Sequence, residues 1–270
     1  MQSGTCGLCL RQADLHQSHY LPASLYKVVR TSVEPADPAP VVINAERGVS
    51  VFMNRQEKKP LLCTVCEDRF SSHGERFVAD QCYRGENKFK LRDAMQSVQP
   101  SNSSSNRNVY HGNSLQPTIE PKSYMYFALS VLWRGSATSW TSENNGFEGA
   151  LGKHYQEEFR KYLLDPIAPP ENVAVSVYVD FDSDVNTFLH FPMPMGRQKI
   201  AHVTSKAHWF LIPGMRFIVL VGGQSSVVAK HVSDESKVSF YQWSLSKSAF
   251  YGGMASAKRS TVPTGKLAQI

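Results

Sequence analysis

Long apolar runs are missing from this chain. No stretch approaches the roughly 18 uninterrupted apolar residues of a membrane span, and the opening Met1-Gln2-Ser3-Gly4 shows no charged region leading into an apolar one. That excludes an integral membrane protein, offers no secretory leader and makes the cytoplasm the expected address, with no membrane partner. The glycines form neither a Walker nor a dinucleotide pattern, and no G-x-S-x-G elbow occurs, which removes the P-loop, Rossmann and serine-hydrolase classes. Cysteine is scarce and odd in number: of five, four form two close pairs and Cys82 stands apart. Such usage suits a metal in a reducing compartment better than disulfides. An excess of one charge is nearly absent where it would matter most. The net charge is +6, yet residues 1–100 hold 13 Lys and Arg against 11 Asp and Glu. Lys247, Lys258, Arg259 and Lys266 have no acidic neighbour after Glu235, so much of the surplus lies in residues 251–270, read as a basic flexible tail.

What is there suffices for a packed core: 41% hydrophobic residues, including 14 Phe, 11 Tyr and 4 Trp. The length suits two units. Ser101 to Asn106 (SNSSSN) is polar and low in complexity, so residues 101–122 read as a linker between a first domain, 1–100, and a second, 123–250. Tyr124 to Trp133 is strongly apolar between Pro121 and Gly135 and fits a buried helix or strand, with helix favoured. Leu151, Tyr155, Phe159, Tyr162 and Leu163 recur at helical spacing until Pro166. From Val173 onward the apolar runs VAVSVYV, KIAHV, HWFLI, MRFIVLV, SSVVAKHV and KVSFYQW alternate with turn residues, the pattern of an antiparallel sheet or small barrel. The second unit is therefore expected to be α+β, two helices leading into about six strands.

The chemistry concentrates in Cys6-Gly7-Leu8-Cys9 and Cys63-Thr64-Val65-Cys66, two C-x-x-C pairs about fifty residues apart. Zinc takes four soft tetrahedral ligands delivered in such pairs, and a site closed by four protein ligands stabilises a fold without catalysing anything. The long gap calls for inserted structure between the pairs.

Around these pairs the sequence resembles the HNH endonuclease family. The resemblance rests on Cys6 and Cys9, on Ser18-His19 with Pro22, and on Leu62-Cys63-Thr64-Val65-Cys66-Glu67, and covers about residues 1–80. A longer pattern, SHYLP, LYKVVR, LLCTVCE and ALSVLWR, is similar to a set of bacterial and phage HNH-like proteins. The resemblance implies a zinc-bound treble clef of ββα type at the N-terminus, followed by the α+β domain. It implies that His19 is the general base that takes a proton from water, a role that suits a neutral imidazole. It also implies a catalytic Mg²⁺ or Mn²⁺, with Glu67 standing where the family has a metal-binding His, and nucleic acid as substrate, DNA ahead of RNA. Lys58, Lys59 and Arg69 are the candidate substrate-binding cations. The departures are Ser18, where the family has an acidic or His ligand, Lys58 near the position of its middle Asn, Asn54 four residues too early for it, and Ser71 where some members have a further His. His73 and Glu75 lie close enough to supply a substitute ligand.

Plainer roles stand beside these. His19 can fix its loop through hydrogen bonds, and Glu67 can interact with the unpaired N–H groups at a helix start. His16 reads as a solvated loop residue and Cys82 as a small core residue or an inert thiol. Arg134, after Trp133, suits either a phosphate site or an ion pair at a domain interface. His202, His208 and His231 lack ligand spacing, and Gly222-Gly223 reads as a hairpin turn. The expected function is a metal-dependent HNH-like nuclease, of the kind used in phage–host conflict, whose second domain selects substrate or a partner protein. The alternatives are a catalytically inactive zinc-finger scaffold for nucleic acid or protein, and a structural or virion-associated protein.

Overall fold

Apolar residues on every side of Tyr124 to Trp133 give a helix no exposed stripe, and such a helix belongs in the centre of a protein. The computed structural model places it there. It describes residues 2–31, 41–44, 48–52, 56–85, 88–104, 107–140, 147–182, 188–200, 203–223, 234–265 and 268.

The first part of the chain begins with β1 (Gln2–Thr5) and β2 (Gln12–His19), an antiparallel pair, followed by α1 (Ala23–Thr31). A small hairpin, β3 (Val41–Asn44) and β4 (Val49–Phe52), occupies the gap between the cysteine pairs. Then β5 (Lys58–Cys63) pairs antiparallel with β2 and runs straight into α2 (Thr64–Phe70). A π-helical turn, Ser71–Glu75, continues α2 into α3 (Arg76–Gln81), and α4 (Lys90–Gln96) follows.

The buried run becomes α5 (Pro121–Ala137), with proline in its first turn where a missing N–H costs nothing. The amphipathic stretch becomes α6 (Gly152–Leu164). A seven-stranded sheet, in the order β6-β7-β12-β8-β11-β10-β9, packs against α5. Its strands are β6 (Asn102–Ser104), β7 (Arg107–His111), β8 (Val173–Asp180), β9 (His190–Ile200), β10 (Val203–Ile212), β11 (Met215–Val221) and β12 (Val238–Trp243). Phe127 of α5 meets Phe217 and Phe210 at 5.4 and 5.9 Å, and Tyr124 meets Phe240 edge-on at 4.9 Å. Neighbouring strands are antiparallel except β12 and β8, which run parallel.

Three expectations change. Residues 101–122 are not a linker: β6, β7 and a 3-10 turn at Gly112–Leu115 build the sheet edge, held by backbone pairing that polar side chains do not oppose. Residues 251–270 are not a plain tail. They contribute most of α7 (Ala249–Ser260), capped by Ser248 Oγ, which accepts from Tyr251 N–H. They also contribute β13 (Val262–Pro263), which pairs with β4. Finally, the two halves share one contiguous core reaching from Cys6 to Phe240, because α5 packs against both the sheet and the π turn. The predicted strand SSVVAKHV lies outside the described residues. Among the described residues, no helix is long and apolar enough to cross a membrane.

Candidate functional site

The first cysteine pair sits in the turn between β1 and β2. Cys6 N–H donates to Arg11 O and Leu10 N–H to Cys6 O, both at 2.9 Å, which folds the loop back on itself. Leu10 closes the turn in the left-handed region, φ 62°, with its side chain in solvent. Cys63 is the last residue of β5, and Cys66 lies in the first turn of α2. Their approach is enforced from outside: Gly7 N–H donates to Leu61 O at 2.9 Å, Cys63 N–H points at Cys6 Sγ at 3.4 Å, and Arg160 of α6 donates to Leu8 O at 2.7 Å. The four sulfurs lie within 4.8 Å of one another and can hold a metal ion. The Cys66 thiol hydrogen-bonds Cys6 and draws it well below the usual thiol value. The shift is toward the thiolate, the state that metal ligation requires.

A second site lies beside it. An irregularity in the β2–β5 ladder between His16 and Gln17 shifts the strand's alternation, so Leu15 and Ser18 are both buried while His19 lines a cleft. The cleft, ≈ 230 Å³ in volume, is also lined by Pro22 and Ala23, by Glu67, Asp68, Ser71 and Glu75, and by Arg134 from α5. Glu67 enters in the first turn of α2, where the positive end of the helix favours a carboxylate. Positions four apart drift around an α-helix of 3.6 residues per turn. The wider π turn offsets that drift and brings Glu75 to the same wall as Glu67 and Ser71.

His19 Nε2 lies 2.6 Å from Gln56 Oε1. A carbonyl oxygen only accepts, so the ring proton sits on Nε2 and Nδ1 keeps its lone pair. Burial lowers the His19 pKa, and the nearby charges of Lys58 and Arg134 lower it further against the opposing pull of Gln56 and Glu67. The ring is therefore a neutral base at pH 7. Burial raises the Glu75 carboxyl, and Arg134 pulls it the other way through a direct ion pair. Arg134, only 1% exposed, also donates from Nη1 to His19 O at 2.9 Å and lies over the Phe70 ring, 5.1 Å from its centroid. The ion pair expected of Arg134 is present, with Glu75, and its guanidinium also contacts an aromatic ring. Glu67 Oε1 is buried and has no hydrogen-bond partner among the described residues.

The remaining sequence candidates are distributed as follows. Ser18 Oγ accepts from Leu62 N–H at 3.2 Å inside the protein, away from any ligand. Lys58 is exposed opposite His19 in the ladder, and Lys59 Nζ donates to Ser139 O. Arg69 donates to Leu164 O at 2.7 Å, at the end of α6, and does not line the cleft. His16 is not a loop residue: it lies on β2 and bonds Thr64 Oγ1 at 2.8 Å. His73 stacks on Tyr126 at 5.1 Å outside the cleft lining, so of the two substitute ligands only Glu75 reaches the wall. Cys82 is buried, and its thiol donates to Val78 O at 3.3 Å. His208 is buried, and among the described residues neither of its ring nitrogens has a hydrogen-bond partner. Gly222 and Gly223 both have positive φ, as a hairpin turn needs, but the residues after them, like Asn54, His202 and His231, lie outside the described ones.

Gln56 and Arg134 were not legible as parts of the site, since nothing local ties them to His19. Asp68 was missed too, although a second carboxylate beside Glu67 is a signal the sequence carries. Comparison with protein-family models, with curated proteins and with solved structures returned no match to this chain.

Proposed function

We propose that the protein is a metal-dependent HNH-like nuclease that hydrolyses phosphodiester bonds of nucleic acid, DNA ahead of RNA, with structural zinc on Cys6, Cys9, Cys63 and Cys66. The observation that carries this reading is the meeting of His19, at the end of β2, with Glu67, in the first turn of α2, across one cleft beside the cysteine cluster.

The donor sets fit the metals. Zn–S bonds of about 2.3 Å in a tetrahedron set the sulfurs about 3.8 Å apart, and Cys9 Sγ and Cys63 Sγ lie 3.9 Å apart. In the cleft, Glu75 is committed to Arg134, which leaves Glu67 and Asp68 as the carboxylates for a hard cation. Mg²⁺ is commonly held by one or two carboxylates with water and phosphate oxygens completing its shell. When bound there, Mg²⁺ or Mn²⁺ would supply Lewis-acid stabilisation of the scissile phosphate and its leaving oxygen. The chain's own contribution is the base. His19 Nδ1 accepts a proton from the attacking water while Gln56 holds Nε2–H, so the ring keeps one tautomer and one orientation. Lys58, exposed beside His19, supplies positive charge for the phosphate backbone.

One observation favours the second reading, a catalytically inactive scaffold. Ser18, at the position of a family metal ligand, faces inward onto Leu62 N–H. Incubating the purified protein with supercoiled plasmid, linear DNA and RNA in Mg²⁺ or Mn²⁺ separates the two. Cutting by the wild type that disappears in folded, zinc-loaded His19→Ala and Glu67→Ala supports the nuclease. Salt-dependent binding with no product from a zinc-loaded protein supports the scaffold.

A further inference from the structure

Arg134 reaches the cleft from α5, far along the chain from the residues it holds. Its Nη1 grips the backbone carbonyl of His19, its other terminal nitrogen binds the Glu75 carboxylate, and its guanidinium plane lies on Phe70. The residue after His19 is clamped by the same stretch. Tyr20 lies stacked between Trp140 and Phe191 at 4.7 and 4.8 Å, and Gly135 sits so close beneath it that an added Cβ would overlap the Tyr20 hydroxyl. Trp140 is in turn fixed by its Nε1, which donates to Arg134 O at 3.0 Å. A buried ion pair is a weak source of stability, because an apolar pair of similar volume serves the fold as well or better. What an apolar pair cannot do is hold a backbone carbonyl and a carboxylate at fixed positions on one wall of a cleft.

We infer that Arg134 is a positioning residue, through which α5 fixes His19 and Glu75 in the cleft. The activity arm of its test rests on the nuclease reading; the spectroscopic arm does not. The full-length double variant Arg134→Met with Glu75→Leu replaces the pair by apolar side chains of similar size. Arg134→Lys keeps the charge and the stem but loses the planar fork. For each, thermal unfolding, the ¹⁵N shifts of the His19 ring nitrogens and plasmid cleavage are measured, with His19→Gln used to assign the ring signals.

The expected result is a double variant that unfolds near the wild-type temperature yet shows mixed ring tautomers and a cleavage rate about 100-fold lower, the scale of loss from a small misplacement of a catalytic group. Arg134→Lys should recover part of both. A folded double variant with wild-type ring shifts overturns the inference, and so does wild-type cleavage by that variant. If the wild type cleaves nothing, the nuclease reading falls alone and the ring shifts decide: scrambled tautomers sustain the positioning role, unchanged ones end it. If the double variant does not fold, the ring shifts of Arg134→Lys decide in the same way.

Discussion

Cys63 shows how one side chain can stand at two junctions. It ends β5, it begins α2 as the N-cap residue, and its sulfur and N–H both face Cys6 or Cys9. Under the zinc assignment, Cys63→Ser removes a ligand from a closed site whose binding free energy is also folding free energy, on the order of 10 kcal/mol for small zinc modules. The expected outcome is loss of about one zinc per chain, read by metal analysis, together with loss of amide-exchange protection in β2 and β5. A zinc content unchanged by the substitution would remove the four-cysteine assignment. The cysteines were legible because C-x-x-C spacing is itself the geometry of a metal knuckle. Glu67 was legible because a carboxylate directly after such a pair falls in the first turn of a helix. Gln56 was not, because its contact with the His19 ring joins residues far apart in the sequence.

At the level of elements, close approach explains more than side-chain character. The π turn lies so near α5 that a Cβ on Gly74 would sit 2.9 Å from both Phe127 N and Ser123 O, backbone atoms that cannot step aside. Gly74→Ala should therefore destabilise the protein by about 1–3 kcal/mol, the usual cost of overpacking, and on the nuclease reading should lower cleavage as well, since the same turn carries Glu75. Thermal unfolding and the plasmid assay read the two effects. Phe250 of α7 plays the corresponding part on the far side of the sheet, packing at 4.9 Å on Trp209, beside Arg216 and His190. Phe250→Ala should uncover Trp209, red-shift its fluorescence and cost about 1–3 kcal/mol, less than the truncation of a fully buried phenylalanine.

These elements also show where a sequence speaks and where it is silent. Helix α6 was plain because its apolar residues repeat with the helical period, whereas the run that became α5 fitted a buried helix or strand because it is apolar on every side and carries no period. Strand β9 was hidden by Pro192 and Pro194, which usually argue against a strand and here sit on the sheet edge. Strands β6 and β7 were hidden because Ser and Asn announce nothing about backbone pairing. The π turn has no local signature at all: it follows from the position of α5, which only the packed molecule fixes.

At the scale of the whole molecule, two of the buried groups respond to acid in opposite senses. Burial raises the Asp180 carboxyl from 3.8 to about 6; among the described residues only one of its oxygens is bonded, accepting from Asp182 N–H and Leu245 N–H. A folded pKa above the unfolded one means that stability is full below about pH 4 and falls as pH rises to 6. Burial lowers His208 from 6.5 to about 4. Its folded pKa lies below the unfolded one, so its contribution is present above pH 6.5 and is lost as pH falls to 4. Over the shared window the two slopes nearly cancel. Asp180→Asn should unmask the His208 slope, giving a protein on the order of 2 kcal/mol more stable at pH 7 than the wild type and no more stable at pH 4. His208→Phe should unmask the opposite slope. Denaturant titrations of the wild type and both variants from pH 4 to pH 7 test this, and parallel curves for all three would refute it.

The reach of Arg134 into the cleft has a consequence in the order of synthesis. A growing chain leaves the ribosome from its N-terminus and folds as it emerges, so His19, Glu67 and Glu75 are all outside before Arg134 is made. Until α5 follows, His19 and Glu75 lack the group that fixes them. An unfinished or broken-off chain therefore carries His19, Glu67 and Glu75 without their working arrangement, and on the nuclease reading any cutting of nucleic acid is withheld until the helix that locks them is in place.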